Sequence, residues 1–325
     1  MKFTAKIYLL ALIDLTFSYR RVMKMSDRAQ NRNENPKNEF VDNDSYANPW
    51  LVDFKQDFSP NSKPLCIGTI IAKNWIITAA NCFYQIGRYN PEMPVLIFTG
   101  SRTKTNPNLS FYLTQIDSAN IHIHHLYSKN NLMIKNHDIA LVDIPAGLVF
   151  TDLVRPIEIS TDFNFLKDLK NDGDGDFYTI RSGFVDRLGW KKMDLISDEL
   201  CSDYYDYWIY NQLVSNYDQN QAHRIDYISY EYFDGEFTST MTCVRSNKKI
   251  ESDCKETEIG QPLIHYNPRD KKLELIGIMS WGEACVGDGS PGIFTKLSSL
   301  IEWLPETRGI LRQLNQFFDF DLQEL

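Results

Sequence analysis

The 325-residue sequence has no dominant run of lysine and arginine, and its formal net charge is -9. Nucleic-acid-binding proteins usually present a basic face, so this charge pattern gives no support for nucleic acid as a partner. Apart from one short apolar segment near the N-terminus, no apolar run approaches the roughly 20 residues that a membrane-spanning helix requires. We therefore expect neither a nucleic-acid nor a membrane partner.

A complete calcium-binding loop is also missing. Residues 171–176 alternate acidic or amide side chains with glycine, but Phe177 stands where such a loop needs glycine. Gly183 stands where a glutamate would close the loop. We expect a solvated loop at this position, and the sequence predicts no metal and no cofactor.

The first 19 residues have the composition of a secretion signal. Lys2 and Lys6 precede the apolar segment Ile7–Ile13, and small or polar residues follow it. A short core helix is the alternative interpretation. Residues 20–39 are polar and charged, a composition that cannot build a core, and we predict that they form a disordered pro-segment.

Six cysteines agree with a secreted protein, because an even number behind a secretion signal suggests a set of disulfides. The count alone leaves their pairing open. The cysteines are Cys66, Cys82, Cys201, Cys243, Cys254 and Cys285. Two triplets that begin at Asn43 and Asn108 match the N-glycosylation pattern, which matters only where the asparagine is exposed.

Short β-type runs separated by turn residues fill the chain from residue 48 onward, without alternating helices. Many short strands of this kind predict an all-β barrel or sandwich. Apolar residues recur at helical spacing from Ile310 to Phe318 and predict a helix after Pro305. Examples of the strands are Trp75–Thr78, Ile139–Val142, Phe177–Ile180 and Leu273–Ile278.

Four motifs stand in a fixed order along the chain. They are Thr78-Ala79-Ala80-Asn81-Cys82 behind the Cys66 strand, His137-Asp138-Ile139-Ala140-Leu141, the segment from Cys254 to Pro262, and Ser280-Trp281-Gly282 followed by Cys285 and Pro291-Gly292. Together, with the cysteines so placed, they resemble the motifs of trypsin-like serine proteases, the S1 peptidases. The resemblance covers roughly residues 40–304.

This resemblance implies an all-β fold of two six-stranded antiparallel β-barrels, at about 40–150 and 151–304, with the active-site cleft between them. A C-terminal helical extension would occupy residues 305–325. The family also implies three disulfides, which would join Cys66 to Cys82, Cys201 to Cys243, and Cys254 to Cys285.

The same resemblance places degenerate residues at the catalytic triad. Asn81 stands at the histidine position, whereas Asp138 keeps the orienting aspartate. The segment from Cys254 to Pro262 is one residue longer than in the family, so counting back from Pro262 gives Ile259 at the serine position, and counting forward from Cys254 gives Glu258. Neither residue is a serine. An amide has no useful basicity near neutral pH, and isoleucine has no nucleophile, so we predict that the catalytic site is not intact.

The same resemblance indicates that the activation site and the specificity pocket are both altered. No basic residue stands immediately before Phe40, the position at which family zymogens are cut. Ser252 replaces the aspartate of the trypsin specificity pocket. The remaining pocket residues, Ser280, Trp281, Gly282 and Gly292, predict that a shallow pocket persists.

A tyrosine-rich insertion lies between Cys201 and Cys243, where the family spacing is much shorter. Its aromatic side chains are either a surface for a protein partner or packing against their own barrel. The candidate partner surface comprises Tyr204, Tyr205, Tyr207, Trp208, Tyr210, Tyr227, Tyr230 and Tyr232.

We therefore expect a secreted, extracellular pseudoprotease that binds protein partners and modulates a host or immune proteolytic cascade such as complement. It resembles inactive arthropod members of the family, such as the inactivated paralogues of the scabies mite. A residual serine-type endopeptidase and a decoy for protease inhibitors are the alternatives.

Overall fold

A computed structural model describes residues 48–56, 64–84, 89–99, 112–127, 136–160, 176–181, 189–205, 237–246, 259–267, 271–282 and 291–306. The predicted signal, the pro-segment, residues 171–175 of the acidic glycine-rich loop and both glycosylation triplets lie outside these residues, as does the chain after Glu306.

The first half of the chain forms a seven-stranded antiparallel sheet in the order β5-β4-β1-β2-β3-β7-β6. Strand β2 is buried along its whole length, which explains its continuous apolar and β-branched sequence. The strands are β1 (Leu51–Lys55), β2 (Cys66–Ala72), β3 (Trp75–Thr78), β4 (Val95–Thr99), β5 (Tyr112–Ile116), β6 (Ile121–Ile123) and β7 (Ala140–Asp143).

The second half forms another seven-stranded sheet, in the order β12-β9-β10-β11-β14-β13-β8. An additional pairing between β12 and β13 closes six of these strands into a ring, and β8 adds to β13 in the parallel direction. The strands are β8 (Glu158–Ile159), β9 (Phe177–Arg181), β10 (Gly189–Ile196), β11 (Met241–Ser246), β12 (Pro262–Asn267), β13 (Lys272–Gly282) and β14 (Gly292–Lys296).

The predicted fold class, all-β with two antiparallel barrels, is confirmed. Each sheet has one strand more than the predicted six. The extra strand of the second sheet, β8, has two residues, which is too short to leave an alternating pattern in the sequence. Short strands of this kind are set by the neighbour that they pair with.

The helices are short and lie at the edges of the barrels. Residues 198–205 form helix α1, and Trp303–Glu306 form helix α2. In the part of the chain that the structure describes, 3-10 helices cover Ala80–Phe83, Ser118–Asn120 and Leu297–Ser299. None of the helices within the described ranges is long and apolar enough to cross a membrane.

One hydrophobic core joins the two halves of the molecule. Ile70 and Ile77 of the first barrel belong to the same buried cluster as Leu275 and Ile278 of β13, and Leu304 of α2 completes it. Burying a side chain of this size contributes about 2 kcal/mol relative to leaving it in water. The shared core therefore fixes the position of residues at the junction between the barrels.

Two disulfides reinforce these sheets. Cys66 bonds to Cys82 with the Cα atoms 5.8 Å apart, and Cys201 bonds to Cys243 with the Cα atoms 5.7 Å apart. Both pairs are those that the family resemblance implied. The third predicted pair, Cys254 with Cys285, lies outside the described ranges.

Candidate functional site at the barrel junction

The carboxylate of Asp138 is fully buried where the two barrels meet. Its Oδ1 accepts a hydrogen bond from the backbone N–H of Asn81 at 2.7 Å, and its Oδ2 accepts one from the Ser280 hydroxyl. The backbone carbonyl of Asp138 accepts a third bond, from Thr295 Oγ1 at 2.8 Å. Asn81 belongs to the first barrel, whereas Ser280 and Thr295 lie on β13 and β14. Asp138 is therefore hydrogen-bonded to both barrels at once.

Asn81 is held in place by the 3-10 helix Ala80–Phe83, which begins directly after β3. The disulfide between Cys66 and Cys82 ties this helix to β2. The whole helix is buried, so the Asn81 backbone N–H has a fixed direction towards Asp138. A side-chain amide does not titrate near neutral pH, and this position therefore supplies no general base.

The turn that leads into β12 brings residue 259 to the same junction. The Ile259 carbonyl accepts a hydrogen bond from the backbone N–H of Ile67 at 2.9 Å, next to Cys66 on β2. Gly260 N–H donates to the Met279 carbonyl at 2.8 Å, one residue before Ser280. The half-buried Ile259 side chain packs against the core. Glu258, the alternative for this position, lies outside the described ranges.

The chemistry available from Asn81, Asp138 and Ile259 is limited. Acyl transfer through a serine-type mechanism needs a nucleophilic oxygen, a base that takes its proton, and donors for the oxyanion. Ile259 has no polar side-chain atom, and Asn81 is not a base. The nearby Ser280 hydroxyl is 1% exposed and already donates to Asp138. Of the three residues, only Asp138 carries an ionisable group.

Tyr127 is a second titratable side chain beside Asp138. Its ring stacks on Tyr84 with the centroids 5.6 Å apart. Burial raises the pKa of Tyr127 far above its ordinary value, and the charge of Asp138 and the neighbouring Tyr84 raise it further. Its hydroxyl therefore stays protonated across the physiological range and supplies no base.

The predicted pocket residues lie at the paired ends of two neighbouring strands. Trp281 and Gly282 of β13 pair with the start of β14, where Gly282 lies opposite Gly292. Ser280 precedes them and is engaged with Asp138. The structure therefore brings four of these residues together where the end of β13 pairs with the start of β14. Ser252 lies outside the described ranges.

Tyr204 and Tyr205 do not belong to an exposed partner surface, and the expectation for these two residues was wrong. They are 5% and 0% exposed. Helix α1 turns Tyr205 onto Trp281, with the ring centroids 5.3 Å apart, and beside the Cys201–Cys243 disulfide. They pack on their own barrel because this contact removes a large aromatic surface from water. Tyr207, Trp208, Tyr210, Tyr227, Tyr230 and Tyr232 lie outside the described ranges.

Asn136 forms a second bridge between the barrels, which the sequence did not indicate. Its Oδ1 accepts hydrogen bonds from the hydroxyls of Thr238, at 2.9 Å, and Thr240. These partners lie more than a hundred residues further along the chain. The only sequence signal for Asn136 is that it stands two residues before Asp138.

We expect Asn136→Ala to lower the free energy of unfolding by about 1 kcal/mol, the usual net contribution of a partly buried hydrogen-bond network. The hydroxyl oxygens of Thr238 and Thr240 lie 2.8 Å apart, so one can donate to the other once Asn136 is removed, which limits the loss. Urea denaturation of the purified chain measures this change. Asn90→Ala, on an exposed loop, is the control and should cost less; an equal loss would contradict the bridge.

The chain is similar to one known protein family and to several known proteins. The family model described as Trypsin matches residues 39–304. The chain is 26% identical over 263 residues to coagulation factor XI of Bos taurus, which covers 79% of this chain and 35% of that protein. It is 25% identical over 265 residues to transmembrane protease serine 11A of Homo sapiens, covering 81% of this chain and 53% of that protein.

A third relative is the clotting factor G beta subunit of Tachypleus tridentatus. It is 23% identical over 259 residues, covering 79% of this chain and 75% of that protein. The chain therefore spans between about a third and a half of the length of the bovine and human relatives.

Proposed function

The chain belongs to the trypsin family of serine proteases, and from this premise we propose that it is a secreted, non-catalytic member that acts by binding protein. The observation that carries the proposal is the bonding of Asp138. Its carboxylate accepts the Asn81 backbone N–H and the Ser280 hydroxyl, while Asn81 and Ile259 bring neither an imidazole nor a hydroxyl to the junction.

The size of the expected loss follows from the mechanism of serine proteases. Removing the nucleophile or the base alone costs about a millionfold in turnover in a well-studied member, nearly as much as removing the whole triad. Here both positions are altered in one chain. An activity that depended on the orienting aspartate alone would not exceed the small residual rate that substrate binding provides.

Secretion and the type of partner are further parts of the proposal. The Cys66–Cys82 and Cys201–Cys243 disulfides support an oxidising compartment outside the cytosol. Two relatives carry the names of clotting factors. This supports a role beside extracellular proteolytic cascades, such as host complement or clotting, in which an inactive homologue competes for the substrates, cofactors or inhibitors of an active enzyme.

The loss of chemistry is tested with a fluorophosphonate probe, which labels an activated serine. We expect no labelling of the chain under conditions that label trypsin stoichiometrically, because Asn81 supplies no base and Ile259 supplies no nucleophile. Stoichiometric labelling of the unaltered chain would contradict the proposal and require an enzyme.

Two matched double variants test the position of the missing nucleophile. Asn81→His with Ile259→Ser restores an imidazole beside Asp138 and a hydroxyl on the turn that contacts β2. Asn81→His with Glu258→Ser places the hydroxyl one residue earlier. We expect any regained labelling to occur in the first variant only; labelling of the second alone would move the serine position to residue 258.

The binding role is tested by adding the purified protein to complement-mediated haemolysis and to a plasma clotting assay. We expect a concentration-dependent delay in at least one assay, with the reduced and alkylated protein as the inactive control. An unchanged time course in both assays, at concentrations above those of the cascade proteases, would contradict a role in these cascades.

A further inference from the structure

Three histidines form a continuous stack near the barrel junction. The His124 ring lies 4.7 Å from the rings of both His125 and His137, nearly parallel to each. The Trp303 ring of helix α2 tilts onto the same imidazole at 4.8 Å. This histidine stack, residues 124, 125 and 137, therefore connects the end of β6 and the loop before β7 to the C-terminal helix.

The protonation state of the stack follows from its hydrogen bonds. His124 is 4% exposed, and its Nδ1 accepts the backbone N–H of Leu126 at 3.2 Å. An accepting Nδ1 carries no proton, so the observed geometry belongs to the neutral imidazole. His137 has a backbone φ of 55° and a buried Nδ1 that finds no hydrogen-bond partner among the described residues. That conformation is costly for a residue other than glycine, which indicates that the surrounding structure holds His137 in place.

Among the described residues, few groups near the stack could balance a positive charge on its imidazoles. His125 and His137 are the titratable groups that act on His124. From α2 the contacting residue is Trp303, which carries no charge, and the preceding Glu302 is exposed. Asp138 follows His137 in the chain, but its carboxylate accepts hydrogen bonds from Asn81 and Ser280. Trp303 offers a π face to a protonated His124, but a protonated His137 would repel the charge on His124.

We propose that the histidine stack is an acid-sensitive latch, which holds helix α2 on the first barrel at neutral pH and releases it in a mildly acidic medium. Protonation of His124 and His137 places two positive charges in contact, and the charge on His124 is buried. The Trp303 ring would then become accessible. This inference does not depend on whether the site is catalytic.

The sign of the pH effect follows from linkage. Burial, together with the neighbouring His137 and His125, lowers the pKa of His124 from the ordinary 6.5 to about 4. Burial lowers the pKa of His137 as well, with His125 acting in the same direction. When α2 is detached, His124 regains an ordinary pKa and binds a proton more readily. The stabilising contact is therefore fully present above pH 6.5 and is lost as the pH falls from 6.5 towards 4.

Hydrogen–deuterium exchange of the full chain tests the latch. After correction for the intrinsic pH dependence of exchange, we expect protection of residues 297–306 to fall roughly tenfold between pH 7 and pH 5. Protection of the core peptide 66–78 should stay unchanged. Constant protection of residues 297–306, or an equal loss in both peptides, would overturn the proposal.

Variants separate the latch from other acid effects. The double variant His124→Asn with His137→Asn keeps a side-chain acceptor at 124 and a residue that tolerates positive φ at 137, and its protection should no longer depend on pH in this range. His122→Gln, outside the stack and against Trp75, should keep the full pH dependence.

The exposed His125→Gln replacement does not disturb the core and provides a second variant. Because His125 lowers the pKa of His124 and of His137, its removal brings both closer to their ordinary value, and we expect the loss of protection to shrink to roughly threefold. A tenfold loss in this variant, or an unchanged pH dependence in the double variant, would overturn the latch.

Discussion

Replacing Asp138 by alanine should lower the free energy of unfolding by roughly 3 to 5 kcal/mol. The change leaves the Asn81 backbone N–H and the Ser280 hydroxyl buried without their acceptor, and each such group costs about 1–3 kcal/mol. It also opens a cavity in a fully buried place. The predicted loss follows from the hydrogen bonds by which Asp138 connects the two barrels.

Smaller replacements at the same place distinguish this role from a general loss of packing. Asp138→Asn keeps one oxygen for the Asn81 N–H and should cost about 1–2 kcal/mol, and Ser280→Ala should cost about 1 kcal/mol. A double-mutant cycle between residues 138 and 280 should show coupling of more than 0.5 kcal/mol, the range found for directly interacting neighbours. Exposed Asp152→Asn is the control. If Asp138→Ala lowered the free energy of unfolding no more than Asp152→Asn in urea denaturation, the hydrogen bonds of Asp138 would not stabilise the junction between the barrels.

Gly260→Ala is expected to destabilise the fold by a similar amount, about 3 kcal/mol or more. Gly260 has a φ of 88°, and a Cβ built there would lie 1.9 Å from the Ile67 carbonyl oxygen and 2.4 Å from Thr78 Oγ1. The positive φ alone costs an alanine about 1–2 kcal/mol. The overlap requires β2 to shift, because the Ile67 oxygen belongs to a backbone that also accepts the Thr78 hydroxyl.

Gly147→Ala is the matched control for this prediction. Gly147 also has a positive φ, 69°, but its added Cβ meets the flexible Lys73 side chain at 3.0 Å rather than a backbone. We expect its cost to be about 1–2 kcal/mol, the conformational part alone. Urea denaturation should therefore give a larger loss for Gly260→Ala by about 2 kcal/mol. Equal losses would show that the turn at Ile259 and Gly260 moves away from β2 without cost.

The family, the all-β fold and two disulfides could be predicted because they rest on local motifs. Cys66 and Cys82 stand beside strands whose β-branched runs are visible in the sequence, and the structure bonds them as the resemblance implied. That position 81 carries no base could also be predicted, because it depends only on the identity of Asn81. Helix α1 and the two-residue strand β8 were not predicted, because both are set by what they pack against.

The sequence by itself determined which groups the junction contains: an amide at Asn81, a carboxylate at Asp138 and no serine between Cys254 and Pro262. Only the tertiary structure decided how they are used. Counting from the two ends of the Cys254 segment left residue 258 or 259, and a long-range backbone bond to Ile67 brings Ile259 to β2.

The same holds for contacts between segments that are distant in the chain. The burial of Tyr205 on Trp281, the Asn136 bridge and the packing of Trp303 on the histidine stack all join such segments. Residue identity and spacing fix local structure, whereas these contacts depend on how the two barrels pack against each other. That arrangement is decided by burial of the shared core, and no local pattern in the sequence encodes it.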